Sequence, residues 1–203
     1  MIVKICGITT HEAAKAAIDA GADLLGFVFA KSKRRIEPES AAEIIARLGG
    51  KVKTVGVFVN EHPDEIKRIQ CIAGLDYIQL HGDEKPDYIQ GLGLPVIKAF
   101  GIGKREDLEK LASYQSDYFL LDSPKGKYHG GNGIAIDEEL LDPQSLPLNN
   151  IILAGGLTPE NVSEAIKAVQ PAGVDVSSGV ETNGAKDLDK IYRFVRNAKL
   201  RSY

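Results

Sequence analysis

The sequence predicts an α/β fold, a single (β/α)8 barrel with short loops formed by residues 1–203. Three observations point there. Short β-branched apolar runs alternate with helix-period segments over the whole length. The runs are near-continuously apolar, as expected of parallel strands buried on both faces. Eight of them recur at a spacing of about 25 residues, which favours a closed barrel over an open sheet. A doubly wound open sheet is the main rival. It would carry a glycine-rich fingerprint after its first strand, and Cys6-Gly7-Ile8-Thr9 is not one.

Taken in order, the expected strands are Ile2–Cys6, Leu24–Phe29, Thr54–Val59, Tyr77–Leu80, Pro95–Phe100, Tyr118–Asp122, Asn150–Ala154 and Val174–Ser177. The first helix is expected over Glu12–Ala20, stopped by Gly21. The second runs over Pro38–Leu48, with proline in its first turn and Gly49-Gly50 as its stop. Asp64–Ile72, Arg105–Tyr114, Pro159–Val169 and Leu188–Lys199 complete the clear helices, and those after strands four and six read as short. The stretch Gly126–Gly133 is the one conspicuous flexible loop, and it follows strand six.

Composition bounds the function classes. Lys+Arg 25 against Asp+Glu 28 gives a net charge of -3. That argues against a nucleic-acid-binding surface, which is normally basic. Cys6 and Cys71 are too few for a disulfide framework and fit a reducing cytoplasm. The N-terminus lacks a signal-peptide layout, and no apolar run approaches a membrane span. No cluster of His, Cys or acidic residues has metal-site spacing, so no metal is expected.

Two apolar runs near the end of the chain each stop in a glycine-bearing loop. One is Ile151-Ile152-Leu153-Ala154-Gly155-Gly156 and the other Val174-Asp175-Val176-Ser177-Ser178-Gly179. Two strand ends side by side, with backbone N–H groups exposed, make an anion cradle of the kind formed by the last two strands of a barrel. A phosphorylated small molecule is the first candidate ligand.

Strand parity places further polar groups. Lys4 and Cys6 share the inward face of strand one, and Tyr77, Gln79 and His81 share a face of strand four. Lys98 lies between Val96 and Phe100 on one parity of strand five, and Asp122 and Asp175 fall on the inner parity of strands six and eight. A buried charge needs a partner. Either Lys4 or Lys98 is therefore expected to pair with Asp175, strand one being next to strand eight. Cys6 and Asp122 end their strands on the face where barrel enzymes carry catalytic groups. Taken singly, Cys6 reads equally as a small buried hydrophobe and Asp122 as a cap before Ser123-Pro124. Cys71 reads as core. The basic run Lys31-Ser32-Lys33-Arg34-Arg35 is either a solvated loop or, at a barrel mouth, the source of an arginine for a substrate carboxylate.

These residues together resemble phosphoribosylanthranilate isomerases. The resemblance rests on Val3-Lys4-Ile5-Cys6-Gly7-Ile8-Thr9, Gly26-Phe27-Val28-Phe29 with Ser32-Lys33-Arg34, and Val55-Gly56-Val57-Phe58-Val59. It continues through Ile78-Gln79-Leu80-His81-Gly82, Leu120-Leu121-Asp122, Gly130-Gly131-Asn132-Gly133, Ala154-Gly155-Gly156-Leu157 and Val174-Asp175-Val176-Ser177-Ser178-Gly179-Val180-Glu181. It spans essentially the whole chain, and the joint order is more specific than any one segment. It implies a cofactor-free barrel enzyme of tryptophan biosynthesis that performs an Amadori rearrangement on a phosphoribosylated anthranilate. By position, Cys6 resembles the general base and Asp122 the general acid, and Arg34 resembles the arginine that holds the anthranilate carboxylate. Its neighbour Arg35 is the alternative. Gly155, Gly156, Ser178 and Gly179 resemble the phosphate grip, with His81 and Asp175 as further substrate-binding candidates. The expected partner is a small phosphosugar, with no membrane or nucleic acid. A homodimer is one of the states the family adopts. On this reading Asp122 needs a raised pKa, and Cys6 needs a positive neighbour, for which Lys4 is the candidate. A lyase acting on the reaction's product, a sugar-phosphate epimerase and a non-catalytic phosphosugar-binding barrel are the competing readings.

Overall fold

A computed structural model describes residues 1–123 and 148–200. The Gly126–Gly133 stretch and the segment after strand six lie outside the described residues. Eight parallel strands close into a barrel in chain order. They are β1 (Ile2–Cys6), β2 (Leu24–Val28), β3 (Lys53–Phe58), β4 (Tyr77–Leu80), β5 (Val96–Gly101), β6 (Tyr118–Asp122), β7 (Ile151–Leu153) and β8 (Gly173–Val176). Closure is made by β1 on β8, where Lys4 pairs in register with Asp175.

The helices cover the outside. They are α1 (His11–Ala20), α2 (Pro38–Leu48), α3 (Pro63–Ala73), α4 (Pro86–Leu92), α5 (Arg105–Glu109), α6 (Val162–Val169) and α7 (Leu188–Lys199). Local chemistry sets their ends. The Thr10 hydroxyl caps α1 by accepting from the Ala13 amide at 3.2 Å, and Gly21 stops it at φ +96°. Helix α5 is shorter than its sequence suggests. Its continuation, Lys110–Ser113, tightens into a 3-10 turn in which the Ser113 hydroxyl bonds the Lys110 carbonyl at 2.7 Å. Helix α6 starts at Val162 and not at Pro159, because Asn161 spends its side chain on the preceding loop. Its Oδ1 accepts from the Thr158 amide at 2.7 Å, and its Nδ2 donates to the Gly156 carbonyl at 3.0 Å.

Two apolar layers separate cleanly. Leu24, Val55, Ile97, Ala99, Leu120, Ile152 and Ala154 fill the barrel, while the opposite strand faces join the helices in the larger outer core. This corrects the reading of β5. Ile97 and Ala99 point inward, so Lys98 points outward and pairs with Glu84 at 2.9 Å. Cys71 is also corrected: it is exposed. Helix α3 buries Ile66, Ile69 and Ala73, and residue 71 falls on the other side of that stripe.

At the end of the barrel where the strands start, three aspartates stitch strand pairs together. The carboxylates of Asp23, Asp76 and Asp117 accept from the amides of Val3 (2.8 Å), Thr54 (2.9 Å) and Val96 (2.8 Å). Each aspartate sits just before an even-numbered strand and bonds the odd-numbered strand beside it. A two-stranded hairpin, β9 (Glu181–Thr182) with β10 (Ala185–Lys186), follows β8. It turns through Asn183 and Gly184, both at positive φ, the pairing favoured in two-residue hairpin turns.

Candidate active site

The ends of β6, β7, β8 and β1 form a continuous arc at one end of the barrel, and the arc carries most of the expected site. Asp122 ends β6 and Cys6 ends β1, both buried. Between them lie the two glycine loops. Gly155 stands at φ +79° and Gly156 at φ +64°. A Cβ on Gly155 would come within 2.5 Å of the Ser123 amide nitrogen and 3.0 Å of Asp122 Oδ1. A Cβ on Gly179 would lie 1.9 Å from the Leu157 carbonyl oxygen. Only bare backbone lets the two loops approach each other and Asp122 this closely. On the far side, the Ser177 hydroxyl donates to the Cys6 carbonyl at 3.2 Å and ties the β8 loop to β1.

Lys4 is fully buried and binds Asp175 Oδ1 at 2.8 Å inside the barrel. Gly26 of β2 leaves the space for this arrangement. A Cβ there would meet Cys6 Sγ at 2.8 Å and Lys4 Nζ at 3.1 Å, so the ammonium and the thiol occupy the same small volume. Burial pushes the Cys6 thiol up, and the ammonium groups of Lys4 and Lys186 pull it part of the way back, against a push from Asp175. The positive neighbour expected of Lys4 is present. Lys186 is a second one that the sequence reading missed. Its signal was the Asn183-Gly184 hairpin, which sets Lys186 opposite Glu181.

Asp122 differs from expectation. Burial pushes its carboxyl up, but bonds from His81 and from the Ser123 amide and hydroxyl outweigh that and hold it below the usual carboxylate range. His81 Nε2 lies 3.4 Å from Asp122 Oδ2, and the Ser123 amide 2.8 Å from Oδ1. The Gln79 side-chain amide sits 2.9 Å from His81 Nδ1, and Nε2 faces Asp122. Gln79, His81 and Asp122 thus form a chain from β4 to β6. The two strands reach each other only across the barrel mouth, and no sequence spacing announces such a chain.

Of the two arginines, Arg34 comes to the mouth. Its side chain crosses above Gly7, where a Cβ would lie 2.6 Å from Arg34 Cδ and 3.1 Å from Ser177 Oγ. It binds Glu181 through Nε at 2.6 Å and Nη2 at 2.9 Å. Arg35 is more exposed and pairs with Glu37 at 3.3 Å. Cys6, Asp122, His81, Arg34, Asp175, Gly155, Gly156, Ser178 and Gly179 are therefore gathered at one end of one barrel. Among the described residues, no group of three or more His, Cys, Asp or Glu side chains is arranged to hold a metal ion.

The model of the N-(5'-phosphoribosyl)anthranilate isomerase family matches residues 3–197. The chain belongs to the phosphoribosylanthranilate isomerase family. A relative from Bacillus cereus, N-(5'-phosphoribosyl)anthranilate isomerase, is 52% identical over 200 residues covering 98% of each chain. The crystal structure of phosphoribosyl anthranilate isomerase from Thermotoga maritima is 42% identical, covers 98% of this chain and 99% of its own, and superposes with a TM-score of 0.89. A further phosphoribosyl anthranilate isomerase structure holds reduced 1-(o-carboxyphenylamino)-1-deoxyribulose 5-phosphate. It is 41% identical, covers 98% of this chain and 99% of its own, and has a TM-score of 0.85. The closed eight-stranded barrel is the fold of these phosphoribosylanthranilate isomerases, and the enzyme class of the family is isomerase. No helix among the described residues is long and apolar enough to cross a membrane.

Proposed function

We propose that this chain converts N-(5'-phosphoribosyl)anthranilate to 1-(2-carboxyphenylamino)-1-deoxyribulose 5-phosphate, a step of tryptophan biosynthesis, with Cys6 as general base and Asp122 as general acid. The observation that carries this reading is the arc from β6 to β1. An acid and a base flank two adjoining glycine loops, as a substrate gripped by its phosphate and reacting at C1 and C2 requires. The backbone of Gly155, Gly156, Ser178 and Gly179 takes the phosphate. Asp175, already bound to Lys4, presents its remaining lone pairs toward sugar hydroxyls. Arg34 takes the anthranilate carboxylate.

The reaction then runs as follows. Asp122 gives a proton to the furanose ring oxygen while the C1–O bond breaks. The aromatic amine nitrogen donates its electron pair and forms a protonated Schiff base at C1. The Cys6 thiolate removes the C2 proton, and the resulting enolamine tautomerises to the ketone. The surroundings divide the two roles. Three cations, Lys4, Lys186 and Arg34, cluster on the Cys6 side, whereas Asp122 faces an imidazole. The bound substrate supports protonation of Asp122, because it displaces water and brings the negative charge of phosphate and carboxylate into the mouth. The cations offset the same push at Cys6.

Cys6→Ala and Asp122→Asn test the assignment. Each is expected to abolish turnover while leaving affinity for the reduced product analogue within a few-fold of wild type. Turnover retained by either variant sinks that residue's role. Loss of binding together with turnover would mark the residue as part of the grip and not of the chemistry.

A further inference from the structure

The hairpin β9–β10 is not needed to close the barrel, yet it delivers two charged side chains to the mouth. Glu181 and Lys186 stand opposite each other on it, and Lys186 Nζ binds Glu181 Oε1 at 2.7 Å. The same lysine donates to the Ser177 carbonyl at 2.8 Å and lies 3.4 Å from the Ser177 hydroxyl, which fixes the hairpin to the β8 loop. Lys190, from the start of α7, donates to the Glu181 carbonyl at 2.9 Å. The Glu181 carboxylate is therefore held from behind before it meets Arg34.

Glu181 grips Arg34 in one particular way. Its two oxygens take Nε and Nη2, the side edge of the guanidinium. A guanidinium has a second edge, formed by Nη1 and the outer hydrogen of Nη2, which matches a carboxylate equally well. Gly7 makes room for the arginine to lie over bare backbone, since a Cβ there would come within 2.6 Å of Arg34 Cδ. The charge balance also favours an anion. Among the described residues two cations, Arg34 and Lys186, bind the one Glu181 carboxylate, which leaves that cluster with a net positive charge.

Resting on the isomerase reading above, we propose that Glu181 is a positioning residue for substrate recognition. It holds Arg34 by the side edge so that the end edge meets the aromatic carboxylate of the substrate. The carboxylate then approaches Arg34 end-on, from the barrel axis, and Lys186 keeps Glu181 in place.

The test compares two substrates in wild-type protein and in Glu181→Gln. One is N-(5'-phosphoribosyl)anthranilate. The other is N-(5'-phosphoribosyl)aniline, which has the same reacting atoms and no carboxylate. Glutamine keeps the volume of Glu181, removes its charge, and turns one acceptor into a donor aimed at a cation. With the anthranilate substrate, kcat/KM is expected to fall by about tenfold or more, mostly through KM, the loss of one well-placed charged hydrogen bond. With the aniline substrate the fall is expected to stay within a few-fold. A variant that only unfolds or only disturbs Cys6 loses equally on both substrates, and equal loss overturns the proposal, as does no loss on either. A wild-type protein that turns over neither substrate would overturn the isomerase reading and this inference with it.

Discussion

A buried ammonium at position 4 is tolerable because position 175 is an aspartate 2.8 Å away. Removing the cation strands the anion, and breaking a buried pair from one side costs about 3–5 kcal/mol. Lys4→Met is therefore expected to lower the denaturant midpoint markedly and to move the Cys6 thiol further up, because one of the cations opposing its burial is gone. Thiol alkylation followed against pH reads this directly: the profile should shift to higher pH, and an unchanged profile would remove Lys4 from the mechanism. Strand parity and the adjacency of the first and last strands narrow the partner of Asp175 to Lys4 or Lys98, and the structure selects Lys4. The outward direction of Lys98 was not legible in the sequence. Both parities of β5 are apolar, so nothing in Val96–Phe100 says which side faces in, and its partner Glu84 lies in the loop after the preceding strand. The lowered pKa of Asp122 was equally hidden, because it depends on His81, just past the end of β4 and in contact with Gln79.

At the scale of elements, the two ends of the barrel are built by different chemistry. The start of the strands is stitched by Asp23, Asp76 and Asp117, each a short loop residue that fixes the register of the neighbouring strand. Asp76 binds three separate groups, the Thr54 amide at 2.9 Å, the Thr54 hydroxyl at 3.0 Å and Lys53 at 2.6 Å. Asp76→Ala is expected to destabilise the fold by about 2 kcal/mol with no change in KM, measured by urea unfolding alongside steady-state kinetics. A change in KM at unaltered stability would contradict this division of labour. The sign with pH follows from the carboxyl itself. Burial pushes Asp76 up, but Lys53 and Thr54 hold it below the usual range. Its contribution is therefore present above the unfolded value and is lost as pH falls through the lower folded one. The alternation of strands and helices was readable almost element by element. The late start of α6 was not, since it depends on Asn161 bonding a loop whose path only the assembled barrel defines. The β9–β10 hairpin was signalled by Asn183-Gly184, but its contact with Arg34 through Glu181 appears only in the assembled barrel.

For the molecule as a whole, the barrel separates holding from reacting. On the proposed reading, the glycine loops at the ends of β7 and β8 take the phosphate, the part of the substrate that does not change. Cys6 and Asp122 stand on either side of those loops, and Arg34 is proposed to take the far end. In the proposed mechanism, binding energy gathered at the phosphate and the carboxylate would fix C1 and C2 between Cys6 and Asp122, which is how remote contacts lower a barrier. The most direct test is a fluorescence assay of N-(5'-phosphoribosyl)anthranilate consumption by the purified wild-type chain without added metal or cofactor. Rapid loss of the substrate signal, saturable in substrate and proportional to protein, is the predicted result. A folded protein that leaves the signal at its spontaneous decay rate would contradict the account.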